Sequence, residues 1–285
     1  MFFLYKHINI YNNNNNNNNT ISLFFLKKRM EIRGKYKIIH LLGQGKFGKV
    51  FQAQTKSYQF VAIKMECTKS INKGLLKHEV TILHYLNQKK CIHIPNVLWF
   101  GIESNITCFV MPFYSISLTE YIKENKLRNE IQIMQSMLTI IKSIHCVYVI
   151  HRDIKPDNFM LNEKHQLILI DFGLSIFITE KNNVLQKKEK EDNVITGNLL
   201  FASPKIHEYY NPRKIDDLIS IAYIGLYMSL HLNLPWLPID GKESTINYLF
   251  LKGKDSLQLY RNTNTQQVID FIFNLYDDKR MYVYE

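Results

Sequence analysis

Two short runs near the middle of the chain hold the residue types that chemistry needs. The first is His151-Arg-Asp153-Ile-Lys155-Pro-Asp-Asn158, and the second is Asp171-Phe-Gly173. Asp153 is a carboxylate placed to orient an incoming hydroxyl and accept its proton. Lys155, two residues on, can offset the charge that develops on a phosphoryl group in transit. Asn158 and Asp171 add oxygen donors of the kind that the hard cation Mg²⁺ takes. Together these groups point to phosphoryl transfer, where positioning and electrostatics account for most of catalysis. The stretch 161–170 is predicted to form a strand pair that returns Asp171 to the same end as Asn158. Gly173 is predicted to let the chain turn sharply after Asp171.

Two further features lie upstream. Gly43-Gln-Gly45-Lys-Phe-Gly48-Lys-Val50 has the G-x-G-x-x-G spacing, which dinucleotide-binding folds share. Here it joins two predicted strands and no helix follows, which argues for a hairpin lying over phosphates. An ordinary hairpin turn is the plainer alternative. Glycine would allow the backbone a close approach to the phosphates. Val61-Ala-Ile-Lys64 ends an apolar strand on an ammonium, which is costly to bury without a partner. Glu79, on a predicted helix, can be that partner and hold Lys64 for the α- and β-phosphates of a nucleotide. Taken singly, each of these two residues reads as a surface charge.

The set Gly43/Gly45/Gly48, Lys64, Glu79, His151-Arg-Asp153, Asn158 and Asp171-Phe-Gly173 resembles the protein-kinase signature over nearly all of residues 31–280. Lys155 resembles the Ser/Thr-specific branch. Thr196-Gly-Asn-Leu-Leu-Phe-Ala-Ser203, Arg213-Lys-Ile-Asp-Asp217 and Leu234-Pro-Trp236 are similar to the casein-kinase-1 family. The resemblance implies ATP and Mg²⁺ as cofactors. Asp153 and Lys155 would be the catalytic pair, and Asn158 and Asp171 the metal ligands. The nucleotide would be held by Leu42, Gly43, Gly45, Gly48, Val50, Ala62, Lys64 and Glu79. Met111 would be the gatekeeper, and the backbone of Pro112 and Phe113 would bind adenine.

Two departures from the family pattern stand out. Leu200 occupies the position where an Arg usually helps to bind a phosphate already on the substrate, so a preference for primed substrates is in doubt. Asn198 replaces the usual Thr and is expected to hydrogen-bond toward Asp153 and Lys155. The Glu of A-P-E is absent after Ala202-Ser203-Pro204, as that family typically shows. The segment between Asn158 and Asp171 is also shorter than usual, and the chain ends early, soon after Asp277-Asp-Lys-Arg280. A nucleotide-binding pseudokinase scaffold is the alternative reading.

The elements that must position these groups follow from apolar periodicity. Strands are predicted at 36–42, 48–54, 60–65, 96–101 and 107–111, with a helix over 75–86. Beyond residue 117 the pattern turns helical, with Ser117 or Thr119 as a cap, a helix over 131–144, and short strands near Val149 and at 167–170. From Ile215 onward the pattern is mostly helical, broken by Pro235 and Pro238. This is an α+β chain with a small β-rich lobe, a larger helical lobe and a cleft between them. The expected divisions are an Asn-rich extension over 1–29, an N-lobe over 30–111, and a hinge with C-lobe over 112–285. Residues 12–19 are all Asn, a disorder-prone tract, and Met30 is a possible true start.

The bulk numbers are compatible with this. Of 285 residues, 46% are hydrophobic and 21% charged, which is ordinary for a globular protein. The net charge of +11 allows a polyanion partner. The lysines are scattered, however, so a merely basic surface is the simpler reading and a nucleic-acid module the weaker one. Cys67, Cys91, Cys108 and Cys146 form no C-x-x-C pair, so they are expected to be buried thiols in a reducing compartment, cytoplasmic or nuclear. No apolar run is long enough to span a membrane. The charged run Lys187–Asp192 is expected to be a solvated part of an activation segment from Asp171 to Pro204, with Arg152 available to a phosphate there. Protein substrates with Ser or Thr acceptors, a preference for acidic ones, constitutive activity and a monomeric state complete the expectations.

Overall fold

The computed structural model describes residues 31–45, 48–68, 74–124, 130–179, 183–184, 186, 195–237 and 245–277. The extension 1–29, the run 187–192 and the stretch 278–280 lie outside them, as does Pro238. Two compact units form. One takes the chain up to Asn87 together with Pro95–Tyr114, and the other takes Gln88–Ile94 and everything from Ser115.

Among the described residues, the first unit is a six-stranded antiparallel sheet and one helix. Its strands are β1 (Glu31–Ile32), β2 (Tyr36–Gly45), β3 (Gly48–Thr55), β4 (Phe60–Cys67), β5 (Trp99–Glu103) and β6 (Ile106–Pro112), in the order β1-β2-β3-β4-β6-β5. Alternation along the strands splits the side chains between two faces. Phe51, Ala53, Val61, Ile63, Met65, Cys108 and Val110 build an apolar cluster on one of them. Val50, Ala62, Lys64 and Met111 fall on the other. β5 starts at Trp99 and runs to Glu103, later at both ends than the predicted 96–101. The reason is the turn: Ser104 and Asn105 both adopt positive φ (50° and 63°), as a two-residue hairpin needs, so the ladder runs up to Glu103. Helix α1 (Leu75–Gln88) buries Leu76, Val80, Leu83 and Leu86 at helical spacing.

The second unit is mainly helical. Its helices are α2 (Leu118–Glu124), α3 (Glu130–His145), α4 (Pro204–His207), α5 (Lys214–Ser229), α6 (Thr245–Leu251), α7 (Lys254–Gln258) and α8 (Gln266–Asp277). Short strands β7 (Ile116–Ser117), β8 (Val149–Ile150), β9 (Phe159–Leu161), β10 (Leu167–Leu169) and β11 (Ile176–Phe177) make two small sheets, β10-β9-β7 and β11-β8. Ser117, not Thr119, caps α2. Its Oγ accepts from Glu120 N at 3.2 Å and the Glu120 carboxylate accepts from Ser117 N at 2.9 Å, a reciprocal capping box. In α5 every residue except Ile215 and Tyr227 is buried, which makes it the central helix of this unit. A Cβ on Gly225 would sit 2.4 Å from Sδ of Met134 in α3, whose flexible side chain would have to move aside. α5 ends at Ser229, before Pro235, because His231 and Leu232 take positive φ.

The cysteines correct an expectation. Only Cys108 is buried, and burial pushes its thiol up to about 12. Cys67 and Cys91 are half-buried and Cys146 is exposed. A scattered thiol carries no periodic signal of its own, and Cys146 lies just past the end of α3.

Buried His207 gives the fold an acid limit. Burial first, then the nearby Lys252, pulls its imidazole down from the usual 6.5 to about 3. As pH falls through that window the unfolded chain binds a proton there that the folded chain refuses, so stability falls with pH, by on the order of 5 kcal/mol when complete. The urea midpoint is therefore expected to be lower at pH 5 than at pH 7, with His207→Gln shrinking the difference.

Candidate active site

The predicted residues fall into two groups, one in each unit. In the first unit, Val50 stands opposite both Gly43 and Lys64, and Ala62 stands opposite Met111. Cross-strand partners share a face, so one row of the sheet brings these side chains together. Lys64 Nζ donates to Glu79 of α1 at 2.8 Å, and both side chains are buried. The pair forms because β4 turns its even residues toward α1, where Glu79 lies next to Val80 on the buried stripe. Leu42 is buried beside Gly43. Phe113 is half-buried and meets Phe60 edge-on, with ring centroids 6.3 Å apart.

Gly43 and Gly45 have ordinary negative φ, and a Cβ on Gly45 would meet open space. Gly48 differs. Its φ is +131°, and a Cβ there would lie 2.2 Å from the Met65 carbonyl oxygen. The hairpin therefore needs glycine at position 48 for its own sheet packing, and not only for the close approach expected of it.

In the second unit the strand pair forms as its spacing implied. β9 and β10 pair from Phe159↔Leu169 to Leu161↔Leu167, and Ile170 N donates to Asn158 O at 2.8 Å. Asn158 and Asp171 are thereby held at one end of the hairpin. Asp153 Oδ2 accepts from Lys155 Nζ at 2.7 Å and from Asn158 Nδ2 at 3.0 Å, and the same amide nitrogen donates to Asp153 O at 2.8 Å. The predicted turn after Asp171 forms, with Gly173 as a central residue and Ser175 N donating to Phe172 O at 3.1 Å. The left-handed backbone falls on Asp171 itself (φ 64°), and Gly173 has no positive φ. Phe172 is fully buried and packs edge-on against His151, so burial of the aromatic ring accompanies the strained carboxylate position.

His151 is the hub of this loop. Asp153 N donates to its Nδ1 at 3.3 Å, which fixes the proton on Nε2, 3.2 Å from the Ile170 carbonyl. Burial lowers its pKa despite the pull of Asp217, Asp153 and Asp171, so the ring stays neutral. Beneath it, Asp217 of α5 accepts from His151 N at 2.8 Å and Arg152 N at 2.9 Å, and lies 2.9 Å from His145 Nε2. Burial raises the Asp217 carboxyl, but the hydrogen bond and charge of His145 and the bond from His151 N outweigh it, and the net shift is downward.

One expectation for the neighbouring segment changes. Asn198 does not reach Asp153 or Lys155. Its Oδ1 accepts from Leu200 N at 2.9 Å and Phe201 N at 3.3 Å, the local turn that Asn readily makes. Gly197 is the residue beside the loop, because at φ +99° a Cβ would lie 2.3 Å from Arg152 O. Arg152 Nε donates to Leu174 O at 2.6 Å, which uses only one donor of its guanidinium.

Does this donor set suit Mg²⁺? Among the described residues no three His, Cys, Asp or Glu side chains cluster as a metal cage. Mg²⁺ is commonly held by one or two carboxylates plus substrate phosphates, with retained waters. One carboxylate, Asp171, and one amide oxygen, on Asn158, fit that pattern. Both hydrogen bonds of the Asn158 side chain use its nitrogen, which leaves the oxygen for the cation.

Sequence reasoning gave no role to Asp217, His145 or Lys252. Asp217 had a signal, since paired carboxylates at 216–217 open a run of apolar residues and must find donors once buried. Lys252, in Leu-Lys-Gly-Lys, has none and reads as a solvated turn. A sequence model of the protein kinase domain matches residues 36–281, and the chain belongs to the protein kinase family.

Proposed function

We propose that this protein is a Mg·ATP-dependent Ser/Thr protein kinase of casein-kinase-1-like type. The observation that supports it most is the Asp153–Lys155–Asn158 cluster, tied through Ile170 to Asp171. Asp153 orients the acceptor hydroxyl and takes its proton as the oxygen bonds to the γ-phosphorus, while the bond from that phosphorus to the β–γ bridging oxygen breaks and ADP leaves. Lys155, already paired with Asp153, offers its ammonium to the transferring phosphoryl group. Asn158 and Asp171 hold Mg²⁺, which supplies charge neutralisation on the phosphates when bound. Lys64, fixed by Glu79, binds the α- and β-phosphates. Leu42, Val50, Ala62 and Met111 offer apolar surface to adenine, whose edge bonds the backbone at Pro112 and Phe113, and Gly43, Gly45 and Gly48 form the phosphate hairpin.

Lys155, two residues beyond Asp153, favours Ser and Thr over Tyr acceptors. The apolar Leu200 gives no charge to a priming phosphate, so unprimed acidic sequences are the proposed substrates. Four free cysteines suit a reducing compartment, and we place the protein in the cytoplasm or nucleus. A peptide library with Ser, Thr or Tyr acceptors, each with and without an upstream phosphoserine, tests the specificity. Transfer to Ser and Thr with less than a threefold gain from priming is expected. Transfer to Tyr, or a large gain from priming, would sink that part of the reading.

A further inference from the structure

Lys252 follows directly on the last turn of α6, and its side chain is completely buried. Its Nζ donates to Ala202 O at 2.7 Å and Leu199 O at 2.9 Å, and lies 3.0 Å from His207 Nε2. The rings of Tyr248, Tyr223 and Trp236 surround it at 5.0, 5.1 and 5.3 Å. Among the described residues no carboxylate pairs with it. Burial alone pushes its pKa well below the ordinary lysine value. An ammonium taken from water without a counter-charge is costly. Here three ring faces and two carbonyl dipoles offset that cost.

A lysine after a helix can simply complement the helix dipole. That does not account for Lys252, because the carbonyls it grips belong to a different segment. That segment, 197–203, is irregular backbone whose inward carbonyls all need donors. Leu199 O and Ala202 O find theirs in Lys252, and Leu200 O finds its donor in Trp236 Nε1 at 2.8 Å. At the other end Gly197 packs against the carbonyl of Arg152, and a Cβ there would be 3.7 Å from Asp153 Oδ1. The segment therefore runs from the carboxylate that orients the acceptor to the buried ammonium. A peptide presenting its hydroxyl to Asp153 has to pass along it.

We propose that Lys252 is a positioning residue for the acceptor peptide, holding segment 197–203 in register with Asp153 through the carbonyls of Leu199 and Ala202. The proposal rests on the reading of the chain as a protein phosphotransferase. Lys252 touches neither nucleotide nor acceptor, so its effect falls on peptide binding and not on ATP.

The test compares wild type with Lys252→Met, which keeps the length and apolar stem but removes every donor. Steady-state kinetics are read with an acidic Ser peptide and ATP varied separately, and amide hydrogen exchange is followed at 199–203. The expected result is a peptide KM raised at least tenfold, an ATP KM within twofold, and exchange at 199–203 at least tenfold faster while β9 and β10 stay protected. Unchanged peptide KM and exchange would overturn the proposal, as would an equal loss in both KM values with exchange faster throughout. Tyr248→Leu, which removes one wall of the cage and none of the donors, covers the case in which the Met variant does not fold. It should show the same split at smaller size, and its absence there counts equally against the proposal. If wild type transfers no phosphate, the kinase reading fails on that result alone, and the exchange data still decide whether Lys252 holds the segment.

Discussion

Asp153→Asn is expected to abolish nearly all phosphoryl transfer while the protein keeps its fold and its affinity for nucleotide. The replacement has the same shape and keeps an oxygen to face Lys155 Nζ and Asn158 Nδ2, the two donors that now converge on Asp153 Oδ2. What it loses is the ability to accept a proton from the acceptor hydroxyl. General-base assistance contributes about 10²–10⁴-fold in rate, so kcat should drop by about 10³-fold. The ATP KM should stay within about threefold, since uniform binding of the nucleotide does not depend on the proton acceptor. Rates measured with radiolabelled ATP, alongside a thermal melt of both proteins, check this. A variant as active as wild type would remove Asp153 from the mechanism.

Asp217→Asn should damage both stability and rate without touching a substrate. Three groups converge on this carboxylate: His151 N, Arg152 N and the His145 ring. An amide has only one oxygen, so one donor would face an NH₂ group instead of an acceptor. A buried hydrogen-bonding group left unsatisfied costs about 1–3 kcal/mol, and this one was charge-assisted, so a loss near about 3 kcal/mol is expected in urea unfolding. The backbone at 151–152 is also the platform for Asp153. Small displacements of a positioned group cost on the order of 10²-fold, and kcat should fall by about that much. A stability loss with unchanged kcat would mean that the loop holds its geometry without α5. The two substitutions are thus separable: Asp153→Asn spares stability, and Asp217→Asn does not.

Much of this arrangement could be read from residue order, for identifiable reasons. The strand alternation in Phe60–Cys67 and the helical stripe of Leu76, Val80 and Leu83 each obey a fixed period, so β4 and α1 are legible. Lys64 and Glu79 were paired on the ground that a buried ammonium needs a carboxylate, and the 2.8 Å contact has that form. The pairing of β9 with β10 followed from spacing alone. What escaped notice depends on contacts between residues far apart in the chain. Asp217 meets residues 66 and 72 positions earlier. Lys252 grips carbonyls about 50 residues away, and carbonyls are present at every residue, so no side-chain pattern announces them. One local backbone choice was also misjudged. Asn198 satisfied its own turn instead of reaching the loop. Asp171 takes the left-handed conformation just before the turn at Gly173, a region that Asn and Asp tolerate better than most residues.

The most direct test is transfer itself. Purified wild-type protein with γ-³²P-labelled ATP, Mg²⁺ and an acidic Ser-containing protein should place label on Ser and Thr. It should lose that activity when EDTA removes the metal and recover it when Mg²⁺ is restored. A stable, nucleotide-binding protein that moves no label under these conditions would contradict the account and leave a scaffold in its place.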